Sequence, residues 1–143
     1  MVNANLINKI TDTHKFITVE ILKRVLKGEV RISYSELESL ISKQFGVQVN
    51  AHFSVPNKIG LISEICYELG LPMLSMIVVN NKTQMPGDGF YKLYDKLHDT
   101  HYAGNPVFEE KIRNQIKNEI LNCKDWNKLT NFMGIEVEGI NNK

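Results

Sequence analysis

The clearest signals of the fold lie in the stretch Lys27-Gly28-Glu29-Val30-Arg31-Ile32-Ser33-Tyr34-Ser35-Glu36-Leu37. Gly28 suits the residue that follows a helix C-terminus, because glycine adopts the left-handed backbone conformation at little cost. Val30–Ile32 is typical of a short strand. Ser33, with a glutamate three residues later, has the spacing of a capping box that begins a helix. The stretch therefore predicts a helix, a short strand and a second helix in succession.

Further elements are expected on both sides of this stretch. Apolar residues recur at three- and four-residue steps before Gly28, which predicts one or two helices over residues 5–27. The remaining sequence predicts helices at about 34–45, 56–69, 91–98 and 107–121, an extended segment at 47–55 and a strand at 74–79. The tail after Trp126 is weakly patterned, and residues 141–143 are expected to fray. Trp126 is interpreted either as a base-stacking platform or as a lid over the core.

Length and charge limit the class of protein. The chain has 143 residues and 17 Lys and Arg against 16 Asp and Glu, for a net charge of +1. This length fits one domain over 1–143 that buries a core without disulfides or metals. No apolar run reaches the roughly 20 residues of a membrane span, no signal peptide is evident, and Cys66 and Cys123 lack the CxxC spacing. A cytoplasmic protein with no membrane attachment is expected.

Charge also bears on the partner. The near-neutral total excludes nucleic-acid binding that depends mainly on bulk electrostatics. Cations are nevertheless concentrated in the first half of the chain, where they predict either a basic face or an ordinary solvated helix surface. These residues are Lys15, Lys23, Arg24, Lys27 and Arg31.

The order of motifs over about residues 18–79 resembles the winged-helix DNA-binding domain of alkylguanine-DNA alkyltransferases and alkyltransferase-like proteins. The likeness comprises the stretch Lys27–Leu37, a helix that begins Asn57-Lys58-Ile59-Gly60, and a strand that ends Ile77-Val78-Val79. It implies an α+β, mostly helical fold with a short sheet, a winged-helix-like core at about 17–90 and a helical C-terminal extension at about 91–135. Tyr34 matches the family tyrosine that crowds the DNA backbone beside a flipped base. Ile59 and Gly60 match the aliphatic residue and the glycine of the recognition helix.

The chain departs from this family where the chemistry takes place. Asn57 stands where the family has the arginine that fills the gap left by the flipped base. Pro72-Met73-Leu74-Ser75 stands where the family has Pro-Cys-His-Arg, so the nucleophile and its activating histidine are absent and alkyl transfer is excluded. Cys66 is expected to be a packed, inert thiol. The resemblance leaves a non-catalytic nucleic-acid-binding protein with no cofactor and no metal, whose contact residues would be Tyr34, Asn57, Lys58, Gly60, Lys27 and Arg31.

A second likeness covers residues 34–90. The run Leu71–Asn80, followed by Thr83 and Pro86–Phe90, resembles segments of bacterial and phage proteins tied to restriction and defence. It implies a role in phage–host defence or counter-defence. It also supports the main alternative function, a protein-binding module that acts as an inhibitor or adaptor of a defence system.

The loop Pro86-Gly87-Asp88-Gly89-Phe90 is the most distinctive local motif. Its two glycines allow backbone N–H groups to approach an anion, and its aspartate can bind a cation or a base edge. Gly87, Asp88 and Gly89 are therefore candidate ligand-binding residues. The same composition is typical of a tight turn, and the lack of a following Lys-Ser/Thr excludes a P-loop.

The histidines offer an enzymatic alternative. His52-Phe53-Ser54-Val55 has the His-apolar-Ser-apolar form of two-histidine phosphodiesterases, in which two histidines act as general acid and base. The second copy would be His98-Asp99-Thr100, which matches poorly. A phosphodiesterase that uses His52 and His98 is thus a second alternative. His98 and His101, with Asp95 or Asp99, could also supply three metal ligands at a helix end, whereas the ordinary interpretation is histidine pairing with the helix dipole.

Overall fold

The computed structural model describes residues 4–46 and 55–142. Within these ranges the chain forms helices, two short strands and one 3-10 turn. The elements are α1 (Ala4–Ile7), α2 (Asp12–Leu26), β1 (Ile32–Ser33), α3 (Tyr34–Phe45), α4 (Val55–Glu68), the 3-10 turn (Leu74–Ile77), β2 (Val78–Val79), α5 (Asp88–His98), α6 (Pro106–Asn122) and α7 (Asn127–Met133). The prediction of an α+β, mostly helical fold with a short sheet is confirmed.

The two strands pair in parallel, with Ile32 opposite Val78 and Ser33 opposite Val79. The prediction of a strand over 74–79 is right only for its last two residues, because the first four form the 3-10 turn. The Ser75 N–H donates to Ser63 Oγ at 2.9 Å, so a side chain rather than a neighbouring strand satisfies this buried backbone group. The resemblance to winged-helix proteins stays a prediction.

The stretch Lys27–Leu37 folds largely as the sequence predicts. The Glu36 N–H donates to Ser33 Oγ at 3.1 Å, which makes Ser33 the N-cap of α3. The reciprocal half of the predicted capping box is wrong, because the Glu36 carboxylate accepts from Arg24 Nη2 at 2.8 Å instead. That ion pair ties α2 to α3. Gly28, at φ +78°, takes the left-handed conformation that the sequence predicted just after the end of α2.

Helix α4 lies at the centre of the packing, in contact with α2, α3, α5 and the 3-10 turn. Its apolar face is buried, and the buried apolar residues from Leu6 to Val137 form one cluster. The largest fully buried side chains are Ile17, Ile21, Leu22, Ile32, Leu37, Ile41, Ile62, Ile65, Leu74, Ile77, Ile120 and Leu129. Cys66 is buried among them, and burial raises its thiol pKa to about 12, which confirms an unreactive thiol.

The C-terminal region is more ordered than its pattern indicates. Trp126 is 3% exposed, which confirms the interpretation as a lid and excludes a stacking platform. Fraying is wrong for Asn142, whose side chain bonds to Thr130 Oγ1 and donates to the Ile135 carbonyl at 3.1 Å. The extended segment predicted at 47–55 lies outside the described residues, except for Val55, which begins α4. Among the helices described here, none is long and apolar enough to cross a membrane.

Candidate functional site: a cavity between the starts of two helices

A cavity of about 810 Å³ opens where the N-terminal ends of α4 and α5 lie side by side. Ligand pockets typically measure about 300–1,000 Å³, so this volume suits a small molecule or one nucleotide. Six residues that the sequence singled out line it, although they come from three separate segments of the chain. They are Tyr34, Asn57, Lys58, Gly60, Gly87 and Gly89.

Residues 56–61 at the start of α4, and Glu64 one turn further on, line the cavity. Ile62 and Ile65 are buried in the core. Asn57, Gly60 and Glu64 recur at three- and four-residue steps on another side of the helix, and they line the cavity. The same helix thus supplies part of the core with one face and part of the candidate site with another.

Tyr34 lies on the opposite wall, at the start of α3. Its hydroxyl is close to Gly87, where an added Cβ would lie 3.5 Å from Tyr34 Oη. Burial raises the pKa of the phenol, and a hydrogen bond from the Gly87 backbone opposes that rise without cancelling it. Tyr34 therefore stays a neutral phenol, held beside the loop that begins α5.

His14 also lines the cavity, and sequence reasoning missed it. The Thr11 N–H donates to His14 Nδ1 at 2.9 Å, so Nδ1 is an acceptor and the ring proton resides on Nε2. Burial and, secondly, the positive charge of Lys58 lower the pKa of His14, which keeps the ring neutral. The Thr–x–x–His spacing ahead of α2 was the available signal, because it has the reciprocal form of a capping box.

Ser75 is the second lining residue that the sequence did not reveal. It is 3% exposed, and its Oγ accepts from Ser63 Oγ at 2.6 Å. Since Ser63 supplies the proton of that bond, the Ser75 hydroxyl keeps its own proton, and no acceptor for it occurs in the described residues. Apolar side chains complete the lining next to this donor: Ile59, Leu61, Phe90 and Leu93.

The cavity carries two cations and one anion. Lys9 and Lys58 line it together with Glu64, and neither lysine forms an ion pair within the described ranges 4–46 and 55–142. The formal charge of the lining is thus +1 with His14 neutral. The cavity lining therefore presents hydrogen-bond donors and positive charge to a ligand.

Three predicted contact residues lie outside the cavity lining: Lys27, Arg31 and Asp88. Lys27 is exposed at the end of α2, and Arg31 Nη1 donates to Gln84 Oε1 at 3.2 Å. Asp88 is exposed in the first turn of α5, where its charge suits the helix dipole. The expected basic face is partly neutralised, because Arg24 contacts Glu29 and Glu36 and Lys23 contacts Glu20.

The other end of α5 holds the remaining candidates. His98 stacks on Tyr94 with ring centroids 3.9 Å apart, and its Nδ1 lies 2.9 Å from the Tyr94 carbonyl oxygen. His52 lies outside the described residues, so the phosphodiesterase alternative stays a prediction. No cluster of three or more potential metal ligands occurs in the part of the chain that the structure describes.

Comparison with known proteins adds no relative to this description. No protein-family model matches the chain, and no curated protein or solved structure matches it either.

Proposed function

We propose that this protein binds nucleic acid without catalysis and accepts one unpaired nucleotide in the cavity between α4 and α5. A single observation carries the proposal: residues predicted from the DNA-binding resemblance line one cavity with the glycines of the loop before α5. These residues are Tyr34, Asn57, Lys58 and Gly60, with Gly87 and Gly89.

The lining suits the parts of a nucleotide. Phe90 and Leu93 offer an apolar surface, and the Tyr34 ring offers a face on which a base can stack. Such stacking contributes about 1–3 kcal/mol per base. The Asn57 amide has both a donor and an acceptor for a base edge, as asparagine commonly uses toward adenine. Lys58 supplies a charge for the phosphate.

The lack of the alkyltransferase nucleophile and of its activating histidine supports binding rather than alkyl transfer. Met73 and Leu74 occupy the positions of the family nucleophile and its activating histidine, and both are buried. The Cys66 thiol is buried and protonated. Only one carboxylate, that of Glu64, lies among the residues that line the cavity. General acid–base catalysis by paired carboxylates therefore has no support here.

The proposal is tested by blocking the cavity. A Cβ at Gly60 would lie 3.9 Å from Leu93 Cδ2, so Gly60→Ala fits and Gly60→Phe fills the space. Fluorescence anisotropy at low salt, with single-stranded, matched duplex and mismatched duplex oligonucleotides, measures the affinity. We expect the wild type and Gly60→Ala to bind single strands and mismatched duplexes more tightly than matched duplex. Gly60→Phe should lose at least about tenfold, equivalent to about 1.4 kcal/mol.

Two results would overturn this proposal. One is no binding of any oligonucleotide at high micromolar protein; the other is equal affinity of Gly60→Phe and Gly60→Ala. Circular dichroism checks that Gly60→Phe is folded. Should it not fold, Asn57→Leu replaces it, because Asn57 is exposed in the first turn of α4 and its loss costs no core packing.

A further inference from the structure

One wall of the cavity brings three nitrogen donors together. Lys9 lies just ahead of α2, His14 lies in its first turn, and Lys58 lies in the first turn of α4. His14 and Lys58 line the same cavity, and the positive charge of Lys58 contributes to the lowered pKa of His14. His14 is 6% exposed, and in the described residues its Nε2–H has no acceptor.

The positive charge of Lys58 disfavours a second proton on the His14 ring, so the ring presents one neutral N–H donor to the cavity. Glu64 lies in the same cavity but forms an ion pair with neither lysine. An anion with several acceptor oxygens would satisfy all three donors together.

We propose that this wall binds a phosphate group, whose oxygens accept from His14 Nε2–H and from the ammonium groups of Lys9 and Lys58. The N-terminus of α4 adds the positive end of its helix dipole at the same place. The inference rests on the proposed function, since the phosphate would belong to the nucleotide in the cavity. The chemistry is shared by a terminal phosphate and by a bridging phosphodiester.

The neutral state of His14 contributes to the proposed phosphate binding. Thr11 holds Nδ1 as an acceptor, so Nε2 carries the proton at neutral pH and can donate without an additional charge. With His14 neutral, Lys9, Lys58 and Glu64 give the lining a charge of +1, which matches a phosphodiester and offsets part of the charge of a monoester, between −1 and −2 near neutral pH.

The first experiment uses inorganic phosphate alone. Long-range proton–nitrogen spectra of the full chain report the tautomer of each histidine ring, and His14→Gln assigns the His14 signals. We expect the Nε2–H tautomer for His14 and a saturable shift of Nε2 when phosphate, but not chloride, is added. Lys58→Gln should weaken that response about tenfold, the loss expected for one charge-assisted hydrogen bond. Lys96→Gln, an exposed lysine near the far end of α5, should leave it unchanged.

A second experiment distinguishes the sources of the phosphate. Oligonucleotides with a 5′-phosphate, a 3′-phosphate, or unmodified ends with one neutral methylphosphonate link are compared by anisotropy. If the wall binds a terminal phosphate, the oligonucleotide phosphorylated at one end should bind more tightly than the others. If it binds a bridging phosphodiester, only the methylphosphonate oligonucleotide should lose affinity. In both cases Lys58→Gln should abolish the difference.

The outcomes separate this inference from the proposed function. Oligonucleotide binding with a His14 signal that phosphate does not move at millimolar concentration, or an Nδ1–H tautomer, would overturn the phosphate site and leave the function standing. A phosphate-dependent shift without oligonucleotide binding would support the site and overturn the function.

Discussion

The two ends of α5 carry similar side chains in opposite states. At the C-terminal end, the Asp95 carboxylate accepts from Thr100 Oγ1, Tyr102 N and Ala103 N at 2.6–2.9 Å. At the N-terminal end, the cavity contains the His14 and lysine donors, which have no acceptor in the part of the chain described. Each end has a histidine, a carboxylate and an aromatic ring.

Hydrogen bonding distinguishes a structural cluster from a candidate binding site at these two ends. Residue types alone made both ends of α5 candidates, the N-terminal end for the preferred nucleic-acid-binding function and the His98 end for an alternative. Completed hydrogen bonds show that the Asp95 end holds a turn together, because native structures rarely leave buried polar groups unpaired. At the other end, the His14 and lysine donors have no acceptor among the described residues, and this contrast is the reason for proposing a ligand there.

The largest expected effect is on nucleic-acid affinity at the cavity end. Tyr34→Ala removes the ring on which a base would stack and should weaken oligonucleotide binding by about 1–3 kcal/mol, roughly ten- to a hundredfold. Tyr67→Ala is the matched control, because Tyr67 lies with His98 at the other end, their ring centroids 5.2 Å apart. Anisotropy titrations of the two folded variants measure the contrast. Equal losses in both would remove the distinction between the ends.

The next effect is on the free energy of unfolding, and it comes from the C-terminal end of α5, where the Asp95 carboxylate is hydrogen-bonded. Asp95→Ala leaves two backbone N–H groups without their acceptor, so the free energy of unfolding should fall by about 1–2 kcal/mol while affinity stays unchanged. Urea denaturation measures the first quantity and anisotropy the second. Glu110→Gln alters an exposed carboxylate of α6 and should change neither. A loss of affinity in Asp95→Ala would contradict the assignment of this end to structure alone.

A smaller effect compares two glycines. Gly60 lies within α4 with room for a methyl group, so Gly60→Ala should raise the free energy of unfolding by about 0.5–1 kcal/mol. Gly28→Ala should lower it, because φ at Gly28 is +78°. Thermal or urea unfolding tests the signs. If Gly60→Ala is destabilising, the cavity has less room beside Leu93 than the structure gives it.

The smallest effect is on the pH dependence of stability. The pKa of His14 is lowered by burial and by Lys58 from its usual 6.5, so the unfolded chain takes up this proton first as the pH falls. Stability from neutral His14 is therefore full above pH 6.5 and declines as the pH drops toward the lower folded pKa. His14→Gln should flatten this slope of unfolding free energy against pH. His101→Gln, at an exposed residue, should not. A slope unchanged by His14→Gln would refute the buried neutral ring.

The sequence predicted the scaffold of the site better than its hydrogen bonding. Tyr34 and the start of α4 were found because motif order and helical periodicity record which residues share a surface. His14 and Ser75 were not found, because periodicity does not report which proton on a buried group lacks an acceptor. The 3-10 turn before β2 was mistaken for a strand, since a continuous apolar run indicates burial without specifying the backbone conformation.

The cavity as the place of nucleic-acid contact is tested most directly by a backbone amide map. Titrating the ¹⁵N-labelled full chain with a short single-stranded oligonucleotide should shift the amide signals of Tyr34, Asn57, Lys58, Gly87 and Gly89. The signals around Asp95 and Tyr102 should stay in place. Shifts confined to the Asp95 end, or a spectrum that saturating oligonucleotide leaves unchanged, would contradict the account.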